Sequence, residues 1–311
     1  MNIPTRKSFG EVLVELGEEN PQVLVLDADI SKSTYTSLFA NRFPKRFFNV
    51  GCAEQNEMAM AAGMSTCGKI PFVSTYAVFA SMRACEQIRT FVAYPRLNVK
   101  IAVSHGGVTP GSDGVTHQAT EDLGIMRTIP NMTIIMPADA VSTKKLVRQA
   151  ATRTGPVYLR FTRDPVPVIY EDTVKLEIGK ANIIREGTDA TIIAIGDMVT
   201  KAIEASNRLT EKGINVTVID MHTLKPIDEK SIIDSAKKTR ALVTVEDHNI
   251  INGLGSAVSE VLIENEPVPM RRIGLRDTFA ESGTYEELLT KYHLNVQDII
   301  LAVKDVIRRK K

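Results

Sequence analysis

Val99-Lys100-Ile101-Ala102-Val103-Ser104 runs directly into His105-Gly106-Gly107-Val108-Thr109-Pro110-Gly111-Ser112-Asp113-Gly114-Val115-Thr116-His117. A short apolar run ending in a glycine-rich polar loop reads as a buried strand whose carboxyl end carries a site. Ligands of open α/β sheets bind at that edge. Here thirteen loop residues hold two imidazoles, one carboxylate and four glycines, and glycine lets a backbone approach a ligand closely. A plain connection whose histidines satisfy loop carbonyls is the bland alternative. The chain has only 5 histidines, however, and two fall in this loop.

The alternation extends in both directions. Upstream, periodicity predicts a helix over 7–16, a strand over 23–27, an extended segment over 46–50, a helix from about 54 to 68, a strand over 72–75 and a helix over 82–93. Downstream it predicts strands over 133–136 and 157–161 around a helix over 138–151. This is an α/β pattern with a buried parallel sheet. Residues 164–180 hold Pro165 and Pro167, lack periodicity and read as a connection. The expected division is a first domain over 1–170, a linker over 171–184 and a second domain over 185–311. In the second part the pattern restarts with strands over 190–195, 215–220, 241–246 and 270–274 and helices over 199–212, 228–238, 255–264 and 296–309. A second doubly wound sheet follows, with no sequence repeat.

At 311 residues two domains are the natural prior. Lys+Arg number 38 and Asp+Glu 37, so nothing in the charge balance suits nucleic acid. The basic end Arg308-Arg309-Lys310-Lys311 closes a predicted helix, where cations suit the dipole. The opening residues lack the apolar core of a secretion signal, and no apolar stretch approaches the ~20 residues that span a bilayer. Cys52, Cys67 and Cys85 are odd in number and show no Cys-x-x-Cys spacing, so neither a disulfide framework nor a metal site is expected. The expectation is a cytoplasmic protein without membrane contact.

Gly51-Cys52-Ala53-Glu54-Gln55-Asn56 places a carboxylate where an extended segment turns into a small-residue helix. The helix dipole favours the ionised form of Glu54 and burial opposes it. Taken alone, such a residue more often satisfies orphan amides at a helix start. Its neighbours change that reading.

Together with this stretch, Ser74-Thr75-Tyr76-Ala77-Val78-Phe79, Ser104-His105, Ser112-Asp113-Gly114-Val115-Thr116-His117-Gln118, and Ile129-Pro130-Asn131-Met132-Thr133 before Met136-Pro137-Ala138-Asp139 resemble, in order and spacing, the pyrimidine-binding domain of transketolases. The part after the linker is similar to the transketolase carboxy-terminal domain, with a mixed sheet. The resemblance implies thiamine diphosphate, whose pyrimidine half this chain would bind. Glu54 matches the acid that bonds the pyrimidine ring nitrogen and so lets the coenzyme's own amino group act as base. Tyr76 and Phe79 match the aromatic wall of that pocket, although outside this context core packing would be their default. Met82 stands where many transketolases carry an aromatic residue, which a thioether replaces in part. Asp29 matches an aspartate near the cofactor.

For the substrate, the matched positions are His105, Asp113, His117 and Arg163, with Arg6 and Ser33 added, and they suit a sugar phosphate. Asp113 accepts from a hydroxyl, His117 donates to the substrate oxygen where charge develops, and His105 and Arg163 hold the phosphate. An ion pair with Asp164 is the structural alternative for Arg163. His105 and His117 join Glu54 as the expected catalytic groups. Gly253-Leu254-Gly255-Ser256 reads as plain helix entry rather than an anion site.

A full transketolase also needs a diphosphate-binding domain with a Gly-Asp-Gly motif, which this chain lacks. The resemblance is therefore to the carboxy-terminal subunit of a split transketolase of the pentose phosphate pathway. It implies an amino-terminal partner holding Mg2+ or a similar ion, and self-association into a dimer within a heterotetramer. Three other readings stand beside it: a deoxyxylulose phosphate synthase-like fragment, a 2-oxo acid dehydrogenase beta subunit, and a non-catalytic assembly subunit.

Overall fold

Apolar runs separated by amphipathic helices bury both faces of a strand only where helices cover a sheet on each side. The computed structural model, which describes residues 1–310, contains two such sheets. Lys311, the last residue of the basic end, lies outside the described residues. The strands are β1 (Asn2–Pro4), β2 (Val23–Asp27), β3 (Phe47–Asn49), β4 (Ile70–Ser74), β5 (Lys100–Val103), β6 (Thr133–Ile135), β7 (Val157–Arg160) and β8 (Pro165–Pro167). They continue with β9 (Asn182–Arg185), β10 (Ala190–Ala194), β11 (Val216–Asp220), β12 (Thr223–Lys225), β13 (Leu242–Asn249) and β14 (Met270–Leu275).

The first sheet has the order β12-β6-β7-β5-β4-β2-β3, and all its pairs are parallel except β12 with β6. The second has the order β14-β13-β10-β11-β9, parallel apart from β9, and so is mixed. The expected α/β architecture of two doubly wound domains is the observed one.

One face of the first sheet packs against helices Thr5–Glu19 and Ala140–Thr152, the second of which starts in a capping box between Asp139 and Ser142. The other face packs against helix Glu54–Thr66. This helix buries Glu54, Glu57, Met58, Ala61 and Ala62, a spacing that keeps them on one side. The same apolar cluster continues into helices Glu229–Thr239 and Leu254–Asn265 of the second part, so the two sheets share a core.

Three features depart from the sequence reading. The stretch expected as an ordinary helix over 82–93 begins earlier, as a wide π-helical turn over Phe79–Arg83, and ends in another over Ile88–Ala93. Thr223–Lys225, lying between the strand expected over 215–220 and the helix expected over 228–238, leaves the second sheet and pairs with β6 of the first. Lys225 Nζ then donates to the carbonyls of Arg127 and Ile129, at 2.8 and 2.7 Å. The aperiodic stretch after Asp164 is fastened to the first sheet's layer: β8 pairs with β1, and the Asp139 carboxylate accepts the Ile169 and Tyr170 amides at 2.9 Å each. No described helix is long and apolar enough to cross a membrane.

Candidate active site

The first sheet reverses its winding beside β2, which has β3 on one side and β4 on the other. Ligands of open α/β sheets sit beyond the carboxyl ends of strands at such a reversal. Asp29 follows β2, Tyr76 follows β4 and His105 follows β5. Asp29 and His105 hold left-handed backbone angles, φ 66° and 64°, which side-chain-bearing residues adopt only where the surroundings impose them. The topology therefore gathers at one edge the residues that the sequence motifs single out.

Glu54 is the first residue of its helix, and its side chain is 3% exposed. Its Oε2 accepts from Arg83 Nη1 at 2.7 Å, and Oε1 takes no hydrogen bond among the described residues. The pair is not sealed, because the Arg83 side chain is 48% exposed. The wide turn over Phe79–Arg83 also carries the Arg83 guanidinium over the Phe79 ring, 4.5 Å from its centroid. A flat cation thus lies on Phe79 while donating to Glu54. Tyr76 and Phe79 stack, with centroids 5.8 Å apart and planes 27° from parallel. Met82 is half-exposed nearby in sequence. Asp29 is exposed and accepts from Asn49 Nδ2 at 2.8 Å. A buried acid with one open oxygen, set beside a stacked aromatic pair, fits a planar nitrogen heterocycle.

The aromatic wall leads to a cationic corner. The His105 ring lies 3.9 Å from the Tyr76 ring, and His117 meets Phe79 edge-on at 5.4 Å. Arg6 Nη1 donates to the Ser33 carbonyl at 2.6 Å and Arg6 Nε to the Arg163 carbonyl at 3.1 Å. Arg163 turns to Asp113, at 3.8 Å, and to the Pro110 carbonyl rather than to Asp164. Burial, with Arg6, Arg163 and His117 adding to it, pushes His105 down to about 3, so its imidazole is neutral. Ser104 Oγ engages its Nδ1 at 2.8 Å. Two guanidiniums beside neutral hydrogen-bonding groups make a corner suited to an anionic end of a polar molecule.

Sequence reasoning missed two neighbours of this site. Arg83 carries no motif signal, since only the wide turn brings it to Glu54. Glu57 follows Glu54 by three residues and is fully buried, and among the described residues neither of its oxygens makes a hydrogen bond of sound geometry, although the Ser74 backbone lies near. Burial, then the neighbouring Asp27, holds its carboxyl well above the usual range. In the second domain the helix start at Gly253–Gly255 is occupied by the chain's own Glu246 carboxyl group, whose oxygens accept the Leu254 and Gly255 amides at 2.6 and 2.8 Å.

Known proteins resemble this chain along most of its length. The family described as "Transketolase, pyrimidine binding domain" matches residues 1–168, and "Transketolase, C-terminal domain" matches residues 179–299. A putative transketolase C-terminal section from Methanocaldococcus jannaschii is 48% identical over 98% of this chain and 96% of its own length. A 6-deoxy-6-sulfo-D-fructose transketolase subunit from a Clostridium species is 41% identical over 98% of this chain and 95% of its own length. A solved structure described as a split gene transketolase, inactive beta4 tetramer, superposes with a TM-score of 0.94 at 51% identity, covering 99% of this chain and 100% of that one. The pyrimidine-binding domain implies binding of thiamine diphosphate. With both domains matched and relatives aligned nearly end to end, the chain belongs to the transketolase family and groups with its split subunits.

Proposed function

We propose that this chain is the carboxy-terminal subunit of a thiamine diphosphate-dependent transketolase, completing its site with an amino-terminal subunit and transferring a two-carbon ketol unit between sugar phosphates. The observation that carries this reading is the placement of buried Glu54 beside the Tyr76–Phe79 wall, with the His105, His117, Arg6 and Arg163 corner adjoining.

Thiamine diphosphate, when bound, supplies the nucleophilic carbon that takes up the two-carbon unit. Glu54 holds a proton at the pyrimidine ring nitrogen through its open oxygen, while Arg83 fixes the other oxygen. Tyr76, Phe79 and Met82 wall the ring from water, and Asp29 lies at the outer rim. Neutral His105 orients a substrate oxygen by hydrogen bonding, and His117 donates where negative charge develops. Asp113 accepts from a sugar hydroxyl. Arg6, with the Ser33 backbone beside it, and Arg163 receive the anionic end. The magnesium or similar ion and the diphosphate belong to the partner subunit, within a heterotetramer. The Clostridium relative's name specifies a sulfonated sugar, and a guanidinium pair would accept a sulfonate as well as a phosphate.

The test combines this chain, an amino-terminal transketolase subunit, thiamine diphosphate and magnesium with xylulose 5-phosphate and ribose 5-phosphate. Sedoheptulose 7-phosphate forms only in the mixture, and robust activity of the isolated chain would overturn the split site. Deoxyxylulose phosphate made from pyruvate and glyceraldehyde phosphate would replace transketolase by a synthase. Pyruvate decarboxylation without sugar would point to a dehydrogenase subunit. Partner activity indifferent to Glu54 would mark an assembly role.

A further inference from the structure

The second sheet reverses its winding at β10, with β11 added on one side and β13, then β14, on the other. The crevice beyond such a reversal is where an α/β domain holds a ligand. Here it is bounded by Gly196 and Asp197, which follow β10, and by Asp247 in β13. What fills it is a loop of the first domain.

Asp247 receives the Val108 amide on both carboxylate oxygens, at 3.1 and 3.0 Å. Gly107 holds φ +63° and lies so close to that carboxylate that a β-carbon would collide with it. Arg160, at the end of β7 and fully buried, donates to the Ala119 carbonyl at 2.9 Å and to the Asp247 carbonyl at 3.0 Å. Ala119 and Gly107 in turn exchange backbone hydrogen bonds at 2.8 and 3.1 Å, which closes the base of the loop. The loop is thus pinned at its neck, while Asp113 is exposed and His117 half-buried beyond the pin. Near its far end Gln118 Nε2 donates to the Glu281 carbonyl of the second domain at 3.0 Å.

We propose that the second domain serves as a socket for the substrate loop, with Asp247 the positioning residue that fixes Asp113 and His117. Nothing in the motif set assigns this role, and it gives the second domain a part in substrate recognition without touching substrate. Both Asp247 oxygens face the same buried amide, and a buried amide stripped of its acceptor is costly to the fold. The Asp247–Val108 contact ties the neck of the loop to the second sheet by a side chain of that sheet, beside the bridge that Arg160 makes from Ala119 to the Asp247 carbonyl. The proposal rests on the reading of Asp113 and His117 as substrate-facing.

The test uses Asp247→Ala and Asp247→Asn in the full chain, alone and in complex with the amino-terminal subunit. Amide hydrogen exchange across residues 105–119 rises about tenfold or more in Asp247→Ala, with the rest of the first domain unchanged. Asp247→Asn keeps one acceptor oxygen and restores exchange to within about threefold of the parent. In the complex, Asp247→Ala raises the KM for the aldose phosphate about fivefold or more, while the Kd for thiamine diphosphate stays within about twofold. A structural defect would weaken both. Unchanged loop exchange, exchange that rises across the whole first domain, or a KM that stays at the parent value would each overturn the proposal. If the parent complex turns over no sugar, the functional reading falls, and the exchange measurement still decides whether the socket holds the loop.

Discussion

The carboxyl edges of the two sheets obey one topological rule and end in opposite states. At the reversal beside β2 the first sheet presents half-buried rings, two guanidiniums and an acid with one oxygen open. At the reversal at β10 the second presents Glu246, Asp247 and Asp197, all buried, and the crevice is taken by Gly107 and Val108. A switch point is a binding site only where the chain itself leaves it open. Filled from within, it becomes a joint. The joint needs its own charge balance, and fully buried Arg160 supplies it, 3.0 Å from Asp122.

The comparison breaks at the open edge if Glu54 can be neutralised without loss. Glu54→Gln keeps the size of the side chain, so the melting temperature stays at the parent value while turnover of the reconstituted complex falls about 100-fold or more. Turnover within a few-fold of the parent would remove Glu54 from the chemistry.

The filled edge is tested by Arg160→Met, which preserves volume and strands Asp122 in the interior. Urea unfolding is expected to show a loss of about 3–5 kcal/mol. A loss below about 1 kcal/mol would mean that the joint does not depend on this charge.

Arg163→Ala sharpens the contrast by acting only at the open edge. The KM for a phosphorylated acceptor rises about tenfold with little change in kcat, and an acceptor lacking phosphate is unaffected. Equal losses with both acceptors would assign Arg163 to the loop's structure through its contacts with Asp113 and Pro110.

The smallest effect belongs to protonation at the filled edge. Burial, with Asp139 adding and the Tyr170 hydroxyl opposing, pushes Asp220 up to about 8. The folded state therefore keeps a proton that the unfolded chain has lost above about pH 4. The stability this group contributes is present in acid and is lost as pH rises through about 8. Between about pH 6.5 and 8 the parent should lose about 1–2 kcal/mol relative to Asp220→Asn, read as the shift in urea midpoint. The depressed His105 and His222 lose their contribution as pH falls below about 6.5, outside this window. A parallel pH course for the two proteins would show that Asp220 is ionised in the fold.

Much of this was legible before any coordinates. Strands such as Lys100–Val103 are too apolar to leave either face wet, and the helix expected over 138–151 from its periodicity is Ala140–Thr152. Glu54, Tyr76, Phe79, His105, Asp113 and His117 could be singled out because the ordered motifs that carry them resemble those of the transketolase pyrimidine-binding domain. Arg83 could not, because an ordinary helix would not have predicted its stacking on Phe79 together with its bond to Glu54. Glu57 drew no reading from the sequence, since nothing local marks its burial. Thr223–Lys225 is too short to declare a strand, and its partner lies far away in the chain.

The sequence by itself determined the alternation of strands and helices and the two sheets, and its motifs, by their resemblance to a family, the residues that line the first one's edge, since hydrophobic periodicity and short motifs are local properties. Only the tertiary structure decided which edge stays open, which acids are buried, and that Asp247 meets Val108 across 139 residues. Burial and long-range pairing depend on which surfaces the folded chain brings together, and no local pattern encodes that.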